Sequence, residues 1–111
     1  MVDLEYFRVT ALSHADTDEK LHHSIPSFRY KGKIFATYWP KENWAMLKLS
    51  LVDQSVFCSF DPTIFFPVQG AWGKQGATLV ELKKVRKDMF KDALEQAYIG
   101  VTQKADKKKN G

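Results

Sequence analysis

The sequence predicts an α+β domain in which helices cover an antiparallel sheet, and three observations carry that expectation. Two β-rich runs flank Lys31-Gly32 and a third follows Pro40-Lys41-Glu42-Asn43, the pattern of a three-strand meander. Near the C-terminus Met89, Phe90, Ala93, Leu94, Ala97, Tyr98 and Val101 recur at helical spacing. Between these blocks, residues 67–82 interleave Gly70, Gly73 and Gly76 with Trp72 and Lys74, then run straight into a strand-like stretch beginning at Ala77. Glycine tolerates backbone angles that a side chain resists, so this segment reads as a tight loop feeding a strand and presenting Trp72 and Lys74.

Taken in order, Asp3 is placed to cap a first helix whose apolar positions are Leu4, Phe7, Val9, Ala11 and Leu12. Residues 13–18 end it, residues 19–23 suit a short strand, and Pro26 restarts the chain as extended. A two-residue turn at Lys31-Gly32 and a four-residue loop after Trp39 set a register. It puts Phe28, Tyr30, Lys33, Phe35, Thr37, Trp39, Trp44, Met46 and Lys48 on one face. Arg29, Lys31, Ile34, Ala36, Tyr38, Ala45, Leu47 and Leu49 then take the other, whose aliphatic members suit covering helices. Ser50 with Asp53 begins a short helix expected to bury Val52, Val56, Phe57 and Phe60, and Asp61-Pro62 stops it. Residues 63–68 form a short extended segment that Pro67 confines to an edge, and the last helix runs from about residue 86 to 104.

One domain, residues 1–103, is long enough to bury a core without disulfide or metal support, and residues 104–111 read as a flexible lysine-rich tail. Lone Cys58 excludes an internal disulfide and suits a reducing cytoplasm. No apolar run approaches a membrane span, and acids stand at the N-terminus where a signal peptide carries bases. The net charge is +4, but the tail supplies three of those charges, so any basic surface on the domain is local.

The order of a first helix, the Phe28-to-Ala36 segment FRYKGKIFA, Asp61-Pro62, Trp72-Gly73-Lys74-Gln75-Gly76 with its strand, and a final helix bearing Ala97-Tyr98 resembles the MmcQ/YjbR family of small bacterial proteins. The resemblance covers roughly residues 4–102. It implies a two-layer fold similar to CyaY, the bacterial frataxin: a twisted antiparallel sheet with N- and C-terminal helices packed on it. It also implies DNA binding through hairpins arranged as a double wing. Ala77 departs from the family pattern, which usually carries an aromatic at that place.

For nucleic acid, Arg29, Lys31, Lys33, Lys41, Lys48 and Lys74 are the candidate phosphate contacts, and Tyr30, Trp39 and Trp44 the candidate stacking surface. Three arginines, none in an evident recognition helix, give little basis for reading guanine edges. The competing expectation is a non-enzymatic protein- or small-ligand-interaction module, with Trp72, Trp39 and Trp44 shaping an aromatic groove beside Phe65 and Phe66. No metal site is expected: adjacent His22 and His23 on a strand point oppositely, and Asp16, Asp18 and Glu19 lack calcium-loop order. Ser13-His14 and Cys58 lack the surroundings of a nucleophile, so neither catalysis nor a cofactor is expected. The sequence thus predicts a cytoplasmic monomer that binds DNA weakly and in a salt-dependent manner, and no membrane.

Overall fold

The computed structural model describes residues 1–110, with side chains through Lys104. In chain order the elements are α1 (Leu4–Leu12), β1 (Thr17–His22), β2 (Ile25–Tyr30), β3 (Lys33–Trp39), β4 (Trp44–Lys48), α2 (Leu51–Phe60), β5 (Phe65–Pro67), α3 (Ala71–Lys74), β6 (Ala77–Glu81) and α4 (Lys87–Asn110). The six strands form one antiparallel sheet in the order β1-β2-β3-β4-β6-β5. The expected flexible tail falls mostly on side chains outside the described residues, and α4 carries its backbone to Asn110.

Two caps form as expected. The Asp3 carboxylate accepts from the Tyr6 amide at 2.8 Å, and the Ser50 hydroxyl accepts from the Asp53 amide at 3.1 Å. The meander is four-stranded, because all of β1 pairs with β2. His23 and Ser24 turn that hairpin with φ of 51° and 68°, and Lys31 and Gly32 turn the next with 48° and 83°, both tight two-residue connections.

The register expected from the sequence fails at one residue. Phe28 pairs with Ala36 but Arg29 pairs with Ile34, so Phe35 is an extra residue in β3. A one-residue insertion swaps the faces of everything on one side of it. Phe28, Tyr30, Lys33 and Phe35 therefore share a face with Ala36, Tyr38, Ala45 and Leu47, whereas Arg29 and Ile34 join Thr37, Trp39, Trp44 and Met46.

The first of these faces carries the helices. Phe7 of α1 meets Phe28 at 4.7 Å and Phe90 of α4 at 5.1 Å between ring centroids, and Tyr98 of α4 lies edge-on to Tyr30 and Phe35. Phe7, Phe28, Phe35, Phe65, Phe90, Leu47, Leu82 and Leu94 are fully buried in this core. Burying a side chain of this size stabilises the fold by roughly 1.5–3 kcal/mol. Packing dictated by α4's apolar stripe thus fixes which face is closed.

Helix α2 departs from expectation. Val52, Val56 and Phe60 are exposed, and it is Gln54, Phe57 and Cys58 that turn inward. The helix sits over edge strand β5, where Phe57 meets Phe65 at 5.1 Å, so only a narrow stripe of it is covered. Buried Gln54 donates through Nε2 to the carbonyls of Gly73 at 2.8 Å and Ala77 at 3.1 Å, tying α2 to both ends of the last glycine turn.

The glycine segment contains the single turn α3 rather than an uninterrupted loop. At Gly73 an added Cβ would lie 1.6 Å from the Val68 carbonyl oxygen, and at Gly76, where φ is 111°, 1.9 Å from that of Leu49. These two glycines let the chain pass close enough for the Leu49 amide to donate to the Gly76 carbonyl at 3.2 Å.

Candidate functional site

The helix-free face holds a second, smaller core. Met46, Ala77 and Leu79 are buried there under Trp39, Trp44, Phe66 and Val68. Trp44 lies 6.4 Å from Trp39 and 5.2 Å from Phe66 between centroids. Both indoles are pinned: Trp39 Nε1 donates to Thr37 Oγ1 at 2.9 Å and Trp44 Nε1 to Glu81 Oε2 at 3.1 Å. A ring held this way acts as a lid for the residues beneath it.

Neither the stacking surface of Tyr30, Trp39 and Trp44 nor the groove of Trp72, Trp39 and Trp44 beside Phe65 and Phe66 assembles as expected: Phe65 is buried in the helix-side core and only Phe66 joins Trp39 and Trp44. Tyr30 is only 6% exposed and lies on the opposite, helix-covered face, because the Phe35 insertion carries it there. Trp39 and Trp44 close the end of the sheet at the β3–β4 turn. Trp72 stands on α3 beside the start of β6, at the other end, and remains 42% exposed.

The same topology sorts the six candidate basic residues. Strand β3 is seven residues long, so Lys31 and Lys41 at its two ends are separated by about 20 Å or more. Lys41 is thus apart from the rest. Arg29 is engaged across the β1–β2 pair, its Nε and Nη2 donating to the two Asp18 oxygens at 2.8 and 2.6 Å. These bonds hold the Asp18 carboxyl below its ordinary range. Lys31, at the β2–β3 turn, lies 5.3 Å from the Tyr30 ring centroid.

What the fold does bring together is one end of the sheet. The β2–β3 turn carries Lys31 and Lys33, β4 ends there at Lys48, whose register partner on β6 is Ala77, and α3 places Lys74 three residues earlier. Adjacent strands lie about 4.8 Å apart, so four lysines distant in sequence border one edge. Among the described residues, Lys33, Lys48 and Lys74 take part in no ion pair, and the Lys31 amide donates to the Asp16 carbonyl at 3.2 Å.

Behind this edge a cavity of about 490 Å³ opens between the end of β4, α3 and residues 100–104 of α4. Lys48, Trp72, Gln75 and Lys104 line it. Desolvation, with the nearby Lys104 charge second, lowers the Lys48 pKa. Lys104 and Gln75 escaped the sequence reading: Lys104 fell at the start of the supposed tail, and only the length of α4 brings it over the sheet end. The remaining candidates stay apart. His14 stacks on Tyr98 at 4.3 Å, His22 and His23 contact each other edge-on at a hairpin tip, and no group of three or more potential metal ligands occurs among the described residues. Burial raises the Cys58 thiol pKa, the opposite of what a nucleophile requires.

An antiparallel sheet with α1, α2 and α4 packed on one face, its other face closed by its own aromatics and its strand ends bearing lysine, is a small α+β sandwich. A family model described as YjbR matches residues 12–99. The chain belongs to the YjbR family. Comparison with curated proteins and with solved structures finds no match. Among the described residues no helix is long and apolar enough to cross a membrane.

Proposed function

We propose that this YjbR-family protein binds nucleic acid, without catalysing a reaction, through the lysine-bearing end of its sheet. The observation that carries the reading is the convergence of Lys31, Lys33, Lys48 and Lys74 from a hairpin turn, a strand end and a separate helical turn onto one edge. A rigid sheet holds such charges at fixed spacing, so contacts to successive phosphates cost little ordering entropy. Arg29 and Lys41 drop out of the set, the first through its pair with Asp18 and the second by position. The tips of the β1–β2 and β3–β4 hairpins lie at the opposite end. The lysine distribution favours the β2–β3 end instead.

The test is fluorescence-anisotropy binding to random duplex and single-stranded DNA across a salt series, with the full chain and with the chain cut after Gln103. Four phosphate contacts give a slope of log affinity against log salt of about −3.6 for duplex and about −2.8 for single strand. Lys31→Glu with Lys33→Glu should abolish binding at a midpoint salt without unfolding the domain. Binding confined to the full chain, or unaffected by that pair of reversals, would overturn the reading.

A further inference from the structure

The cavity at the lysine-bearing end carries features that a phosphate-tracking edge does not require. It is about 490 Å³, a volume suited to one small molecule. One wall is Trp72, whose indole N–H, unlike those of Trp39 and Trp44, donates to no protein group among the described residues. Leu51 and Val101 add apolar surface, and Gln75 contributes an amide without a side-chain hydrogen bond. Lys48 and Lys104 supply two positive charges, and neither has an acidic partner among the described residues.

Two like charges at one cavity repel, and partial burial of one of them adds a desolvation cost. The lowered Lys48 pKa reflects both effects. An anion placed between the two ammonium groups would offset that cost, and a flat ring beside it would cover the exposed indole face. We propose that this cavity is a binding site for a small planar aromatic anion, either a nucleoside monophosphate or an aromatic carboxylate. The site holds one molecule and needs no polyanion, so it goes beyond the nucleic-acid reading.

The experiment is a two-dimensional ¹H–¹⁵N titration of the full chain with 5′-AMP, naphthalene-2-carboxylate, inorganic phosphate and neutral benzyl alcohol, read at the three indole N–H signals and the backbone. The Trp72 indole and the amides of Lys48, Leu49 and Val101 should shift saturably with at least one of the two aromatic anions. Phosphate or benzyl alcohol alone should bind far more weakly. Saturation by 5′-AMP only identifies the nucleotide as the ligand class, saturation by the carboxylate only identifies the acid, and saturation by both establishes the shared chemistry. Trp72→Ala and Lys48→Met should each weaken binding by about tenfold. Shifts centred on Trp39 and Trp44, equal effects of phosphate and the aromatic anions, absence of saturation, or unchanged binding by Lys48→Met would each overturn the proposal.

Discussion

Replacing Gly76 by alanine tests the close approach that joins β4 to the start of β6. Two costs are added at that position. A φ of 111° is a conformation that L side chains rarely adopt, worth about 1–3 kcal/mol. The new Cβ would also stand 1.9 Å from the Leu49 carbonyl oxygen, so one backbone segment must retreat by more than an ångström. That movement breaks the hydrogen bond that the Leu49 amide donates to the Gly76 carbonyl and disturbs the Thr78 hydroxyl, which donates to the same carbonyl at 2.9 Å, each worth about 1 kcal/mol. The expected total is about 3–5 kcal/mol, or a Tm lower by roughly 12–20 °C. Controls separate the components. Gly32→Ala, at φ 83° with nothing within 4 Å, carries strain alone and should cost about 1 kcal/mol. Gly73→Ala carries overlap alone, and Gly100→Ala, in the open on α4, should stabilise by about 0.5–1 kcal/mol. Denaturant and thermal unfolding of the four variants provide the comparison. A Gly76→Ala cost no larger than that of Gly32→Ala would refute the overlap argument.

Gln54→Met keeps the volume of a buried side chain but removes its two hydrogen bonds; the Gly73 and Ala77 carbonyls keep the Gly76 and Val68 amides as donors, so the loss is about 0.5–1.5 kcal/mol per bond, without change in the denaturant m-value. Phe7→Ala removes the ring that bridges β2 and α4 and should cost about 3–5 kcal/mol by the same assay. For Asp18, the Arg29 bonds lower the folded pKa below the ordinary 3.8, so its contribution is present above that value and is lost as pH falls through the folded pKa. Asp18→Asn should therefore flatten the stability profile below about pH 4, and unchanged curvature in acid unfolding would contradict the pair.

Features with local causes were legible in the sequence. Asp3 and Ser50 cap helices because each side chain meets an amide three residues on, and α4 declares itself by an uninterrupted apolar period. The sheet register was legible only as far as the Phe35 insertion. Nothing in FRYKGKIFA distinguishes an inserted residue from a regular strand, since Phe35 and Ala36 are both apolar and both end up facing the helices. That single residue moved Tyr30 from the expected aromatic surface into the core. In α2 the sequence offered apolar residues on more than one side, and only the helix's place at the sheet margin decides that Gln54 and not Val52 is covered. The lysine edge depends on which strand ends coincide, a property of the strand order in which β4 pairs with β6. The cavity depends further on how far α4 reaches, so Lys104 gave no signal of its own.

The central claim is that one end of the sheet, and not net charge, carries binding. Two double reversals with identical change in charge address it directly: Lys33→Glu with Lys74→Glu at the β2–β3 end, and Lys41→Glu with Lys84→Glu at the other. Anisotropy binding to the same single-stranded and duplex DNA at fixed salt should show loss of affinity of about a hundredfold for the first pair and at most a few-fold weakening for the second. Equal losses for the two pairs would mean that binding follows overall charge, and the assignment of the lysine edge would fall.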